Sequence, residues 1–206
     1  RSWSYMKFPY IKSLGKEKGW YRVGPLARLN TCDFIPSPLA QAEFEEYKAL
    51  TNGKPNNNCL HYHYARLIET LHSAEMMKEL LNDPDLMKGE LVTKGTKTQK
   101  GIGLLEAPRG TLFHHYEINE DDQITKANLI VSTTNNNQPM NESVNYVAHS
   151  WMDGKPEITE PMMNAVEVAI RAYDPCLSCA THALGQMPLE ISLYDANGNL
   201  IDQKRT

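Results

Sequence analysis

The segment Asp174-Pro175-Cys176-Leu177-Ser178-Cys179-Ala180-Thr181-His182 is the most informative stretch of the 206-residue sequence. Its first two residues favour a new helical turn, with Asp174 as the cap and Pro175 in the first position. Cys176, Cys179 and His182 follow at intervals of three residues, so one helix face would present all three. Unpaired amide groups at a helix N-terminus favour thiolate over thiol. The segment therefore predicts a site for a soft metal ion or for redox chemistry.

Spacing alone leaves two ordinary interpretations of this segment open. The first is a structural zinc site, in which Cys176, Cys179 and His182 supply three ligands and Cys32, Cys59 or another histidine supplies the fourth. The second is a redox-active dithiol formed by the two cysteines of the segment. Dithiol motifs of that kind usually follow a strand in a βαβ unit, whereas this one follows a predicted helix.

Composition narrows the range of partners and compartments. A net charge of -4 and a pI of about 6.0 favour neither nucleic acid nor an anionic membrane surface as a partner. No apolar run is long enough to span a bilayer and no signal-peptide pattern opens the chain, so the cytoplasm is the expected compartment. The chain opens at Arg1 without an initiator Met, which is consistent with a fragment or a processed chain.

Hydrophobic periodicity and turn residues predict an α+β fold that is mostly helical, with small β-hairpins. Residues 1–36 are rich in aromatic residues, Gly and Pro and are expected to be irregular, and residues 88–101 are expected to form an exposed loop. The predicted helices cover residues 38–50, 58–81, 139–150 and a stretch beginning at Thr159-Glu160-Pro161. The predicted hairpins join strands 111–118 and 123–131 and, around Asn197-Gly198, two strands within 189–201.

Four further motifs accompany the cysteine segment in a fixed order along the chain. They are Tyr21-Arg22-Val23-Gly24-Pro25-Leu26-Ala27-Arg28-Leu29-Asn30, Tyr64-Ala65-Arg66-Leu67, Glu106-Ala107-Pro108-Arg109-Gly110 followed by His114, and Ile130-Val131-Ser132-Thr133-Thr134-Asn135. From about residue 20 to its end the sequence resembles the large subunit of [NiFe] hydrogenases, with Ser132 where that family usually has Pro. The sequences of residues 111–116 and 176–188 are similar to those of the NAD-reducing, bidirectional cytoplasmic type within that family.

The resemblance implies reversible oxidation of hydrogen at a nickel bridged to an iron that carries cyanide and carbon monoxide. Cys176 would be a terminal nickel ligand able to take a proton, and Cys179 would bridge nickel and iron. Arg109 would lie over the open metal position and pair with Asp174. Without the family context, Arg109 would be interpreted as part of a surface ion pair.

The resemblance also assigns supporting roles. Pro108 would shape the wall around the diatomic ligands, and Thr133 would donate a hydrogen bond to a cyanide. The ring of His182 would help bind a magnesium or iron ion. His114 and His115 are expected to be ordinary packing residues.

Two departures from the family pattern lead to further predictions. The second cysteine pair of the family has no match here, because Cys32 and Cys59 are isolated, so residues 1–182 would be the C-terminal part of a large subunit. Residues 183–206 would be an ordered extension that docks on the body until maturation removes it at His182-Ala183. The chain alone is expected to be inactive, to bind no cofactor and to self-associate.

The family's partners follow from the same resemblance. They are a small subunit with an iron–sulfur cluster, diaphorase subunits that couple the reaction to NAD, chaperones that insert nickel and deliver iron, and a C-terminal endopeptidase.

Overall fold

The computed structural model describes residues 7–177 and 188–205. Residues 23–130 form one compact unit, and residues up to 22 together with those from 131 onward form the other. No helix in the described residues combines the length and the hydropathy needed to cross a membrane. Helices and small antiparallel sheets make up both units, so the predicted α+β class is confirmed.

The bounds of the elements follow chain order. The helices are α1 (Gly15–Lys18), α2 (Pro25–Thr31), α3 (Pro38–Ala49), α4 (His61–Leu80), α5 (Ser132–Asn135), α6 (Asn137–Trp151) and α7 (Glu160–Ala172), with short 3-10 helices at Lys12–Leu14 and Pro84–Met87. The strands are β1 (Lys100–Ala107), β2 (Gly110–Ile118), β3 (Ile124–Ile130), β4 (Glu190–Tyr194) and β5 (Leu200–Arg205).

In the unit formed by residues 23–130, α4 packs against α2 and α3. Its buried face carries Tyr62, Ala65 and Ile68, each at most 1% exposed. The predicted helix is therefore confirmed. Leu67, one of the apolar residues whose helical spacing indicated the helix, is 67% exposed and lies outside the buried face. A small side chain such as Ala65 lets neighbouring helices approach closely, and hydropathy alone does not reveal this.

The start of α3 corrects one expectation about capping. Ser37 occupies the N-cap position as expected, but its hydroxyl contacts His72 Nδ1 at 2.8 Å and makes no capping bond. The carboxylate of Glu75, on α4, instead accepts from the N–H groups of Leu39 and Ala40 at 3.1 and 2.9 Å. A side chain from a neighbouring helix thus satisfies two amide donors that α3 itself leaves unpaired.

Strands β1, β2 and β3 form an antiparallel sheet in that order. The β2–β3 hairpin confirms the prediction, whereas β1 begins within the stretch expected to be a loop and is not predicted by the sequence pattern. Gly101 and Gly103 interrupt its side-chain pattern, and Ile102 and Leu105 are 70% and 62% exposed although they lie on opposite faces. A strand without a buried face lacks the alternation by which strands are recognised.

The other unit is built on α6 and α7, which pack against each other. Met152, Met162 and Val166 form its buried cluster, and Leu189 and Ile191 pack against that cluster. The β4–β5 hairpin therefore contacts the helices, as expected for an extension that docks on the body. The N–H of Ile158 also donates to Asp202 Oδ2 at 2.8 Å.

Two predictions about local structure are wrong: that residues 1–36 are irregular and that Pro175 begins a helical turn. Residues 1–36 include the helix α2, whose Gly24-Pro25 start is a recognisable signal. At the end of α7, Asp174 has φ 50 and its N–H donates to Arg171 O at 2.9 Å, so this residue terminates α7. Residues 174–176 are not helical and helical conformation resumes at Leu177, so Pro175 does not begin a helix.

Candidate metal centre and the arginine turn

Two of the predicted site residues, Thr133 and Cys176, are brought together. The backbone N–H of Cys176 donates to Thr133 Oγ1 at 3.1 Å. Thr133 lies in α5 and is 5% exposed, and Cys176 is partly exposed. The bond thus joins the cysteine segment to the Ile130–Asn135 motif, although 43 positions separate the two residues in sequence.

The role of Thr133 in this bond determines what its hydroxyl can still do. A hydroxyl has one donor and two acceptor positions. Because Thr133 Oγ1 accepts from Cys176, its own proton remains to be donated to another group. The arrangement is compatible with the predicted hydrogen bond from Thr133 to a ligand beside the cysteines.

Buried polar groups surround Thr133, which is unusual for a segment with so few apolar residues. Residues 132–136 are all buried, and the hydroxyl of Tyr21 donates to Asn135 Oδ1 at 2.7 Å. Burial raises the pKa of Tyr21 above its usual value, so this hydroxyl stays neutral at physiological pH. Nδ2 of Asn137 is buried without a hydrogen-bond partner in the described residues. The polar run after β3 therefore forms part of the interior.

Arg109 lies in the two-residue turn that joins β1 to β2, where Ala107 pairs with Gly110. Both turn residues, Pro108 and Arg109, are exposed. The guanidinium of Arg28 donates to the carbonyl oxygens of Ala107 and Pro108 at 3.0 and 2.9 Å. The backbone that carries Arg109 is thus held by a side chain from α2.

The start of α2 also approaches this turn closely. A Cβ atom on Gly24 would lie 2.8 Å from Arg109 O, and one on Gly110 would overlap the side chain of Val23. Both glycines have positive φ, 95° and 131°. The two family motifs that contain these glycines are therefore interlocked, and only glycine fits at either position.

Arg28 is the functional candidate that sequence reasoning missed. Its carboxylate partners are Glu69 on α4 and Glu106 at the end of β1. Burial lowers the pKa of Arg28, but the hydrogen bonds that its guanidinium donates to Glu69 and Glu106 outweigh that effect and raise the pKa. The sequence did contain a signal for this pair, because Arg28 lies in one of the family's motifs and Glu106 lies in another.

Several predicted site residues are not tested by these contacts. Cys179, His182 and Ala183 lie outside the described residues. Asp174 and Arg109 belong to different units, so their pairing stays a prediction. Across residues 7–177 and 188–205, no group of three or more His, Cys, Asp and Glu side chains could hold a metal ion. Within the described residues the cysteine segment contributes Cys176, which is disulfide-bonded in this structure, so a metal site would need this bond reduced and further ligands added.

The histidines on β2 contact neighbouring side chains, as expected for packing residues. His114 Nδ1 lies 2.9 Å from the hydroxyl of Tyr116, and the two rings meet edge to face at 5.6 Å. His115 Nε2 lies 3.3 Å from Glu117 Oε1, which also pairs with Lys126. The hydrogen bond from Lys126 is the main cause that lowers the pKa of Glu117.

Known relatives give this geometry its context. The chain is 58% identical over 205 residues to the NAD-reducing hydrogenase HoxS subunit beta of Cupriavidus necator, which covers 98% of this chain and 42% of that protein. It is 42% identical over 203 residues to an F420-non-reducing hydrogenase protein of Methanococcus voltae, covering 96% of this chain and 42% of that protein. The chain thus spans under half the length of these relatives.

A solved structure and a family model agree with these relatives. The crystal structure of an NAD+-reducing [NiFe]-hydrogenase in the H2-reduced state superposes with a TM-score of 0.81 at 52% identity, covering 88% of this chain and 40% of that one. The family model described as nickel-dependent hydrogenase matches residues 2–182. This chain, in which Cys176 bonds to Thr133 and Arg28 holds the turn that carries Arg109, therefore belongs to the nickel-dependent hydrogenase family.

Proposed function

We propose that this chain is the C-terminal part of the large subunit of a cytoplasmic, bidirectional [NiFe] hydrogenase in precursor form. In this role it takes part in reversible hydrogen oxidation, and partner subunits carry the electrons to NAD. The observation that carries the proposal is the bond from Cys176 to Thr133, which joins two motifs that the family places in the same order. The 58% identity to an NAD-reducing relative supports the choice of acceptor.

The donor chemistry of the chain fits a nickel–iron centre. Cys176 and Cys179 would contribute soft thiolates, which suit nickel and iron, and His182 would contribute an imidazole to a magnesium or iron ion. When bound, the centre with its cyanide and carbon monoxide ligands supplies the electron transfer that hydrogen cleavage requires. Cys32 and Cys59 are isolated from this segment in sequence, so the second cysteine pair would come from outside these 206 residues.

The chain's own residues have separable tasks in this reaction. As a reduced thiolate, Sγ of Cys176 would take a proton released from hydrogen. The guanidinium of Arg109 would orient a water molecule, or would hold that proton only after losing one of its own, and Asp174 would pair with Arg109 to fix its direction. Thr133 would donate its hydroxyl proton to a cyanide, and Pro108 would shape the wall around the diatomic ligands.

Precursor status is the second part of the proposal. Residues 183–206 keep the cysteine segment accessible while chaperones deliver iron and insert nickel, and an endopeptidase then cuts between His182 and Ala183. The docked β4–β5 hairpin supports this, because an ordered extension can hold its upstream segment in place. The mature form then assembles with the diaphorase subunits and with the small subunit that carries the iron–sulfur cluster.

The isolated chain is expected to be inactive and free of the nickel–iron centre. Ile102, Leu104 and Leu105 of β1 are 70%, 66% and 62% exposed. Exposed apolar side chains on a strand favour association with another copy of the chain. A homo-oligomer of the isolated chain is therefore part of the proposal.

A hybrid large subunit tests the proposal. In it, this chain replaces the matching 42% of HoxS subunit beta from Cupriavidus necator, so that the relative supplies the remaining sequence. We expect nickel and iron in the purified hybrid complex, hydrogen-dependent reduction of NAD, and loss of the mass of residues 183–206 after maturation. Cys176→Ser is expected to abolish activity and to remove nickel, because a hydroxyl is a poor ligand for this metal.

Cys32→Ser is the matched control. Burial raises the pKa of the Cys32 thiol, which disfavours the thiolate that a metal needs, so this variant should keep its nickel and its activity. Stoichiometric zinc in place of nickel and iron, lost together with the fold on chelation, would contradict the proposal and support the zinc-module interpretation.

A further inference from the structure

Arg28 uses all of its hydrogen-bonding capacity on two features of the fold. Nε and Nη2 donate to the two carboxylate oxygens of Glu69 at 2.6 and 2.7 Å. Nη1 donates to Glu106 Oε2 at 2.8 Å and to Ala107 O at 3.0 Å, and Nη2 also donates to Pro108 O at 2.9 Å. A guanidinium has five N–H donors, so every one of them is engaged.

The acceptors divide into a fixed support and a held segment. Glu69 lies on α4, the central helix of its unit, and binds Arg28 in the bidentate manner that sets both position and plane. The remaining acceptors belong to three consecutive residues, Glu106 to Pro108, which lead directly into Arg109. Arg28 thus transmits the position of α4 to the turn.

Opposite charges strengthen the hydrogen bonds between Arg28 and its two carboxylate partners. The side chains of Arg28 and Glu69 are 26% and 24% exposed, and the raised pKa of Arg28 keeps the guanidinium charged. Glu106 also accepts from the hydroxyl of Thr111 on the far side of the turn, so the carboxylate ties both strands to Arg28. Hydrogen bonds to charged groups are about twice as strong as neutral ones.

Sterics from the same helix remove the remaining freedom of the turn. Gly24 precedes α2 and lies against Arg109 O, and Gly110 lies against Val23. The turn is therefore confined on one side by the backbone that begins α2 and on the other by the side chain of Arg28. Lysine at position 28 would keep the charge but could not form the planar fork.

We propose that Arg28 is a positioning residue: it fixes the backbone of residues 106–108 and thereby sets the direction in which the Arg109 side chain leaves the turn. The inference rests on the proposed function to the extent that Arg109 acts at the metal centre. The fixing of the turn itself does not depend on that function, and the two statements can be tested separately.

The experiment compares Arg28→Lys and Arg28→Met with the unmodified hybrid hydrogenase complex. Hydrogen exchange followed by mass spectrometry measures the peptide that covers residues 104–112. We expect its exchange to rise at least about tenfold in both variants while peptides from α3 stay unchanged. Hydrogen oxidation should fall about tenfold in kcat with the KM for NAD and the nickel content unchanged, because the metal and acceptor sites are intact.

Two further variants control for structural damage. Arg171→Lys removes a guanidinium from an exposed pair with Glu167 on α7 and should change neither exchange nor activity. Glu106→Gln weakens the same fork without altering Arg28 and should produce a smaller change in the same two measurements. If the Arg28 variants do not assemble, the Glu106→Gln variant tests the positioning role of Arg28 in their place.

The outcomes separate this inference from the proposed function. Unchanged exchange of residues 104–112 in the variants overturns the fixing of the turn by Arg28. Faster exchange with full activity, in a complex that Arg109→Lys inactivates, overturns the statement that Arg28 directs Arg109. An Arg109→Lys variant that oxidises hydrogen at the normal rate instead overturns the role of Arg109, even where Arg28 still governs exchange in the turn.

Discussion

Two hairpin turns of this molecule are held in opposite ways. The turn between β1 and β2 depends on the rest of its unit, because Arg28 and the start of α2 confine its backbone. The turn between β4 and β5 supports itself: Asp195 accepts from the N–H groups of Asn197 and Asn199 at 2.8 Å. The hydrogen bond from the side chain of Asn199 is the main cause that lowers the pKa of Asp195.

The difference fits what each turn is proposed to do. A residue that must keep one direction at a metal site needs a backbone fixed from outside the turn, since a hairpin alone fluctuates. A segment that is removed after it has served needs to fold locally and to dock through a small surface. Leu189, Ile191 and Asp202 provide such a surface on the β4–β5 hairpin.

The largest contrast is expected from alanine at a glycine in each turn. Gly110→Ala should destabilise residues 23–130 by about 2 to 4 kcal/mol, because the backbone has φ 131 and the new methyl overlaps Val23. Gly198→Ala should cost only about 1 kcal/mol, since that residue has φ 83 and open space around it. Hydrogen exchange at increasing urea concentration measures the two units separately.

Equal effects of the two alanine variants would remove the contrast between the turns. An effect of Gly110→Ala confined to the strain of its φ value would show that Val23 moves aside. The close approach of α2 would then not confine the turn.

A second, smaller effect is expected at the docking surface of the β4–β5 hairpin. Ile191→Ala should weaken docking by about 1 to 2 kcal/mol, because this partly buried side chain packs against Met152, Met162 and Val166. Proteolysis within residues 188–205 should then accelerate while α6 and α7 stay protected. Leu200→Ala is the control, since Leu200 is 53% exposed. Equal acceleration in both variants would mean that the hairpin is not docked through Ile191.

Acidification should give the smallest effect, through Asp202. The hydrogen bond from the N–H of Ile158 is the first cause that lowers the pKa of Asp202. A lowered pKa stabilises docking at pH values above the unfolded pKa of about 3.9, and that stabilisation is lost as the pH falls through the folded value. Cleavage of residues 188–205 by an acid protease should therefore accelerate below about pH 4.

Asp202→Asn should remove most of this pH dependence, and Asp121→Asn, on an exposed loop, should leave it unchanged. A pH profile that is the same in all three proteins would place the titration elsewhere in the hairpin, with Asp195 as the next group to examine.

The parts of the fold that sequence predicted well are those governed by local rules. Pro at the first position of α3 and an acidic and Pro-containing start of α7 define helix beginnings. Asn197-Gly198 defines a hairpin turn, and Gly198 has the positive φ that such a turn needs. Each signal lies within a few residues of the feature it predicts.

The parts that could not be predicted depend on distant residues. Glu75 caps α3 from another helix, and β1 has no buried face to reveal it. The buried face of α4 is chosen by its neighbours, so Leu67 is exposed and Ala65 is not. Tertiary contacts of this kind override local patterns.

The candidate site divides along the same line. Motif order revealed the residues expected to touch the metal centre, including Cys176, Thr133 and Arg109. It did not reveal that Thr133 accepts from the Cys176 backbone or that Arg28 holds the turn, because 43 and about 80 positions separate these partners in sequence. Resemblance thus identifies chemical groups, and the fold identifies what positions them.

Because Asp202 accepts a hydrogen bond from Ile158, removal of the extension formed by residues 183–206 would destabilise the residues that remain. Ile158 is completely buried, and its N–H has the carboxylate of Asp202 as its acceptor. Excision of the extension would leave that amide without an acceptor, at a cost of about 1 to 3 kcal/mol until water or another oxygen reaches it. The loop between α6 and α7 would then have to rearrange, and α7 leads directly into Asp174 and Cys176. Cleavage after His182 would thus remove a hydrogen bond at the start of α7 and could change the position of Asp174 and Cys176 at its end.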